Sequence, residues 1–291
     1  MRVGIVILPE YRWQLAEQKW RAAEQYGFDH AWTYDHIGWR SLVDGPWFDA
    51  VPTLTAAATV TRRIRLGTLV ASPNVRHPVP FARSLLALDD ISGGRLLVGV
   101  GAGTPAGYDN HVMGGEGLPP RARVDRYGEF VEQLDSLLTA ERTSISGEYY
   151  TSVDARSAPG CAQLPRAPFV VAANGPRSMR IAARFGQAWL TTGKGADTID
   201  EWWSGVADLA ETFTGIPGSA GKDRYLSMDS APVFSLSSVE YFREAAGRAA
   251  ELGFTDVITH WPREHGVYAG RLSTLERVVS TVLPELHAAS T

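Results

Sequence analysis

The sequence predicts an α/β protein closed into a parallel (β/α)8 barrel of the TIM-barrel class. Three observations predict it. Short apolar runs alternate with helix-period segments along the whole chain, the alternation completes eight strand–helix units in 291 residues, and most connections are short. An open doubly wound sheet would use fewer strands and place a glycine fingerprint after the first, where this chain has Pro9-Glu10-Tyr11.

The first strand is the apolar run Val3 to Leu8, and Trp13 to Tyr26 is the first helix, stopped at Gly27. His30 to His36 is the second strand, followed by a helical stretch from Phe48 to Val60. Ile64 to Val70 and the helix Phe81 to Ile91 make the third unit, closed by Gly93-Gly94 before the strand Arg95 to Val100. The fourth helix is the clearest, because Tyr127, Phe130, Val131, Leu134, Leu137 and Leu138 share one face. Regularity then lapses from Thr139 to Arg166, which reads as an insertion expected to cover the barrel mouth as a lid. Four units follow: Phe169 to Ala173 with Arg177 to Phe185, Ala188 to Thr192 with Thr198 to Phe213, Tyr225 to Val233 with Val239 to Leu252, and Val257 to Trp261 with Leu272 to Leu286. Residues 1–291 are expected to be one domain.

Composition narrows the function. The 28 basic and 32 acidic residues leave a net charge of −4 without a basic run, so the chain lacks the footprint of a nucleic-acid binder. No apolar stretch reaches the length of a membrane span, and the lone Cys161 suits a reducing cytoplasm. The seven histidines form no His-x-His or His-Glu-x-x-His pattern, so no metal site is expected, and no Gly-x-Ser-x-Gly elbow appears.

In this barrel class chemistry sits at the carboxyl ends of the strands. The second strand ends Thr33-Tyr34-Asp35-His36. Strand neighbours alternate, so one of Asp35 and His36 faces the site and the other the rim. There His36 is either an acid/base or a structural histidine beside a solvated carboxylate. The third strand turns small and polar after Val70. In the fourth, Gly99-Val100-Gly101-Ala102-Gly103-Thr104-Pro105 places glycines at alternate positions, leaving space for a flat ring. It is no dinucleotide fingerprint, since Pro105 and the irregular 106–120 stretch stand where a phosphate-binding helix should start. Ala172-Ala173-Asn174-Gly175-Pro176-Arg177 passes into a helix start that is either a phosphate cradle or a plain cap. Thr191-Thr192-Gly193-Lys194-Gly195 suits an anionic group, although Lys194 could equally be solvated.

Four of these motifs, Asp35-His36, the LGT-x-V strand Leu66 to Val70, the turn Gly99 to Gly103 and Ala172 to Pro176, together resemble the bacterial-luciferase-like family of flavin and deazaflavin enzymes. The resemblance covers nearly the whole chain, and the wording is similar to the branch that uses coenzyme F420, a deazaflavin. It implies a cis peptide at Leu69-Val70 beneath the cofactor ring, with His36 at the reactive carbon, Asp35 at the ring edge and Gly103 on the other side. It implies a cofactor contact at Ala173 and phosphate ligands at Asn174, Gly175 and Arg177. Where the family's sugar-phosphate dehydrogenases carry a glutamate after the strand-four glycines, this chain has Thr104-Pro105.

The expected function is hydride transfer between reduced F420 and a C=C, C=N or C=O bond of a small organic molecule, with His36 moving the balancing proton. Tyr34, Trp39, Trp47, Thr104, Lys194 and Trp261 are the expected pocket residues. Two alternatives stand beside it: an FMN-dependent monooxygenase, and a non-catalytic accessory barrel. Family analogy implies a homodimer packed through the early helices.

Overall fold

The computed structural model describes residues 1–105 and 107–289, so one residue of the irregular 106–120 stretch lies outside it. In chain order the elements begin β1 (Arg2–Val6), α1 (Trp13–Gln25), β2 (His30–Thr33), α2 (Ala50–Val60), β3 (Arg65–Thr68), α3 (Pro78–Ser92) and β4 (Leu96–Val100). They continue with α4 (Tyr108–Val112), α5 (Pro120–Thr139), β5 (Arg142–Ser146), β6 (Thr151–Arg156), β7 (Phe169–Ala172), α6 (Pro176–Phe185) and β8 (Ala188–Thr191). Last come α7 (Ile199–Thr214), β9 (Asp223–Ser227), α8 (Val239–Glu251), β10 (Asp256–His260) and α9 (Leu272–Ala288). Eight strands close a parallel barrel in the order β1-β10-β9-β8-β7-β4-β3-β2, as the alternation predicts.

Side-chain alternation along β2 organises the interior. His30, Trp32 and Tyr34 point into the barrel, and the glycines opposite are the space they need. A Cβ on Gly4 would meet His30 Nδ1 at 2.0 Å, and one on Gly67 would meet the Trp32 ring at 2.3 Å. At the amino-terminal end the buried Asp256 ties three strands together: it accepts from Arg2 Nε at 2.8 Å and Arg2 Nη2 at 2.6 Å, and His30 Nε2 lies 3.0 Å away. Trp32 Nε1 donates to His30 Nδ1 at 2.6 Å, so the hydrogen of a neutral His30 sits on Nε2, facing the carboxylate. Outside the barrel, α5 buries the predicted face of Tyr127, Phe130, Val131, Leu134, Leu137 and Leu138 against the sheet.

Three expectations are corrected. Residues 139–166 are not wholly irregular, because β5 and β6 pair as an antiparallel hairpin. Nor do they form a lid. The hairpin turn lies on α5, where Glu129 accepts the backbone N–H groups of Glu148, Tyr149 and Tyr150, and Tyr150 packs edge-on against Phe130. Gln163 is held by Asp89 of α3, and no insertion residue lines the cavity at the barrel mouth. The seventh barrel strand stops at Ser227 rather than Val233. Asp229 takes the Ser235 N–H at 2.9 Å and the His260 N–H at 2.7 Å, folding the chain into tight turns, and Pro232 has no N–H for a ladder.

Candidate active site

A cleft crosses the carboxyl-terminal mouth of the barrel. Its larger chamber, about 450 Å³, is walled by Tyr34, His36, Trp39, Leu69, Val70 and Tyr268. A second chamber of about 410 Å³ is walled by Gly103, Arg123, Ala173, Asn174, Gly175 and Ser178. Both are bounded by Ala172, Leu190 and Thr192, so they join into one elongated site able to take a long ligand with different ends.

His36 and Tyr34 extend the inward-facing side of β2 into the larger chamber. Asp35 points the other way: it is buried and held by Arg76, with Nε to Oδ2 at 2.9 Å and Nη2 to Oδ1 at 2.5 Å. Burial pushes its carboxyl up while Arg76 pulls it down, and burial prevails. Asp35 therefore shapes the strand end from behind, and the expectation that it meets a ring edge is corrected.

Leu69-Val70 is a non-proline cis peptide, and both residues face the larger chamber. The alternate glycines at the end of β4 divide between packing and the cleft. A Cβ on Gly99 would lie 1.9 Å from the Thr68 carbonyl oxygen and one on Gly101 2.5 Å from Val70 Cγ2, so these two make room for β3 and its exit rather than for a ligand. Only Gly103, at φ +74°, reaches the cleft.

Ala173, Asn174 and Gly175 wall the second chamber at the start of α6. No side chain caps that helix, leaving its first N–H groups without an intrahelical acceptor. Asn174 also braces the neighbouring loop, accepting from Thr191 Oγ1 at 2.7 Å and donating to the Gly193 carbonyl at 3.0 Å.

Five expected residues lie off the cleft. Arg177 is exposed and pairs with Asp125 at 2.5 Å. Lys194 lies along α7, 3.6 Å from Asp208. Thr104 is exposed and uses its carbonyl to accept from Asn74 and Asn110. Trp261 packs between barrel and helices, stacked on Tyr26 with ring centres 6.1 Å apart, while Trp47 sits behind the wall, donating to the His36 carbonyl at 2.8 Å.

Three features escaped the sequence reading. Asp109 of α4 accepts from His36 Nδ1 at 2.6 Å, and its other oxygen takes the Ile37 N–H at 2.8 Å. Burial alone would raise the Asp109 carboxyl, but the hydrogen bonds from His36 and the backbone hold it below the ordinary aspartate range. Since a carboxylate only accepts, His36 carries its hydrogen on Nδ1 and keeps Nε2 as the acceptor. Arg123 of α5 enters the second chamber; among the described residues its buried Nε has no partner, and the guanidinium donates from Nη1 to the Gly103 carbonyl at 3.3 Å. The third is a chain linking Asp229, His260, Tyr34 and Tyr268 in the wall of the larger chamber. Only proximity in the fold connects these groups, which lie far apart in sequence.

The profile described as luciferase-like monooxygenase matches residues 1–227. An F420-dependent hydroxymycolic acid dehydrogenase of Mycobacterium tuberculosis is 30% identical over 264 residues, covering 86% of this chain and 66% of the relative. An F420-dependent glucose-6-phosphate dehydrogenase of Beutenbergia cavernae is 35% identical over 208 residues, covering 70% of this chain and 58% of the relative. Among solved structures, a monooxygenase of Streptomyces bottropensis superposes with a TM-score of 0.80 at 20% identity, covering 100% of both chains.

Proposed function

The chain belongs to the luciferase-like monooxygenase family and is an enzyme, and from that premise we propose that it is an F420-dependent oxidoreductase interconverting a small hydroxyl compound and its carbonyl partner. The observation that carries the reading is the two-chambered cleft, with an oriented histidine in one chamber and, in the other, a guanidinium whose buried Nε has no partner among the described residues. A deazaflavin on a phosphorylated side chain has matching ends. Arg123, with its orphaned Nε, and the uncapped start of α6 at Gly175 fit the phosphate. Leu69, Val70 and His36 fit the ring.

The cofactor supplies hydride chemistry when bound. The protein supplies the rest. His36 presents Nε2 to the cavity as a hydrogen-bond acceptor in a fixed tautomer that orients what binds there, Trp39 and Tyr34 exclude water, and the apolar wall of Phe234, Val267 and Pro232 favours a substrate with an uncharged flank. The substrate reading departs from the sugar-phosphate relatives. The resemblance implies a glutamate at the position of Thr104 in those dehydrogenases, and Lys194 lies off the cleft against Asp208.

The test is anaerobic mixing of protein, oxidised F420 and a panel of secondary alcohols, following loss of the cofactor's visible absorbance. Alcohol-dependent bleaching is expected. Oxygen uptake with reduced FMN and no bleaching with any alcohol would instead support the monooxygenase.

A further inference from the structure

A hydrogen-bonded chain of four side chains runs through the wall of the larger chamber. Asp229 Oδ2 lies 2.8 Å from His260 Nδ1, His260 Nε2 lies 2.8 Å from Tyr34 Oη, and Tyr34 Oη lies 2.8 Å from Tyr268 Oη. The His260 and Asp229 side chains are shut off from solvent, at 1% and 0% exposed, while both tyrosines face the cavity.

Donor and acceptor chemistry fixes the direction of this chain. A carboxylate can only accept, so His260 carries its hydrogen on Nδ1 and, when neutral, offers Nε2 as an acceptor. Tyr34 must then donate to Nε2. Its single hydrogen is spent there, so Tyr268 must donate to Tyr34. Every hydrogen points toward Asp229, and the chain ends on Tyr268 Oη as a lone-pair acceptor at the cavity wall.

We infer that Tyr268 is the base that takes the proton of the substrate hydroxyl, and that Tyr34, His260 and Asp229 draw that proton inward. The inference rests on the hydroxyl-oxidoreductase reading. As the carbon-bound hydrogen leaves with its electron pair to the oxidised deazaflavin, the O–H bond breaks toward Tyr268 Oη and the C=O bond forms. Tyr268 passes its own hydrogen to Tyr34 and Tyr34 passes its hydrogen to His260 Nε2. The proton comes to rest on an imidazolium beside the Asp229 carboxylate. With His260 charged, both tyrosine hydrogen bonds reverse and Tyr268 becomes a donor, as carbonyl reduction needs.

The surroundings hold Tyr268 in place for this role. Its ring lies between His260, at 3.7 Å and 16°, and Trp39, at 5.9 Å and 18°. Its φ of 61° is a conformation bulky residues rarely adopt unless neighbours enforce it. Arg263 pins the surrounding loop by pairing with Glu10 at 2.9 Å, donating to the His265 and Val267 carbonyls, and taking the Tyr268 carbonyl on its own N–H. The other charged or titratable groups near the tyrosines are Arg40, at the cavity rim, and His36, whose ring centre is 6.0 Å from that of Tyr34. Burial pushes the Tyr268 hydroxyl up to about 12, so it keeps its hydrogen until the chain shifts.

Nitrogen NMR of the ¹⁵N-histidine-labelled full-length protein, without cofactor, tests the direction. The His260 signal, identified by its loss in His260→Gln and its shift in Tyr34→Phe, is expected to report the Nδ1–H tautomer. An Nε2–H tautomer would overturn the inference whatever the cofactor. With the loaded enzyme, Tyr268→Phe is expected to slow alcohol oxidation on the order of 10²-fold and flatten its pH profile, with F420 affinity unchanged. The Tyr268→Phe/Tyr34→Phe double variant should be no slower than the single one, because both interrupt one path. Wild-type rate and pH profile in Tyr268→Phe would overturn the inference while leaving the F420 reading intact. Failure of the wild type to bind F420 would sink that reading and the base role resting on it.

Discussion

His36 owes its chemical definition to a residue 73 positions away. Asp109 accepts from Nδ1 at 2.6 Å and so leaves Nε2 as the acceptor in the cavity. Two substitutions separate the ring from its support. His36→Ala should slow hydride transfer on the order of 10²-fold through lost positioning with F420 affinity unchanged, and wild-type turnover would remove His36 from the mechanism. Asp109→Asn keeps the shape but permits the other tautomer, so a smaller loss of turnover is expected in the same assay. Arg123 makes the matching case in the second chamber. Losing a charged hydrogen-bond donor costs about 1.5–3 kcal/mol, or roughly 10- to 100-fold in affinity. Arg123→Ala should therefore weaken F420 binding in fluorescence titration while Arg177→Ala, whose partner is Asp125, should not. Equal weakening by both would contradict the placement of the phosphate. At this scale the sequence was legible where a side chain follows strand parity. Alternation required Asp35 and His36 to face opposite ways, but which one faces in was settled by the structure, where Tyr34 and His36 line the chamber and Asp35 is held behind it by Arg76. It was illegible where the partner arrives from another element, as Asp109 and Arg123 do.

The strands were legible because buried parallel strands are apolar runs, and the helices because one face is apolar. The hairpin β5–β6 escaped because its outer face is solvated: Thr151, Val153 and Asp154 are exposed, and a strand half in water on a helix surface carries no strong apolar run. The β4 glycines show a second limit. Their spacing was visible, but whether the space belonged to a ligand or to a neighbouring strand depended on β3 lying against them. The cluster at the amino-terminal end gives this scale its prediction. Burial of Asp256 would raise its carboxyl, yet hydrogen bonds from His30 and Arg2 hold it at about 2. Its folded value is depressed, so its stabilisation is present above the ordinary aspartate value of about 4 and is lost as pH falls through about 2. Asp256→Ala leaves the buried His30 Nε2–H without its acceptor, while Arg2 keeps Asp223, and should cost about 2 kcal/mol in denaturant unfolding at neutral pH. A wild-type midpoint would show that β1, β2 and β10 are held without it.

The whole molecule was the most legible level, since eight strand–helix units in a chain of this length leave few closed arrangements. Closure also explains why distant motifs act together, because it brings the ends of β2, β3, β4, β7 and β8 around one mouth. The cleft itself was not written in any one segment. It arises where the exits of β3, β7 and β8 diverge, leaving Ala172, Leu190 and Thr192 at the junction of an aromatic chamber and a cationic one. Among the described residues no helix is long and apolar enough to cross a membrane. The most direct test of the account is a parallel fluorescence titration of the full-length protein with oxidised F420 and with FMN, repeated on Arg123→Ala. Tight binding of F420, much weaker binding of FMN and loss of F420 affinity in the variant are expected. Tight binding of FMN with none of F420 would contradict the account.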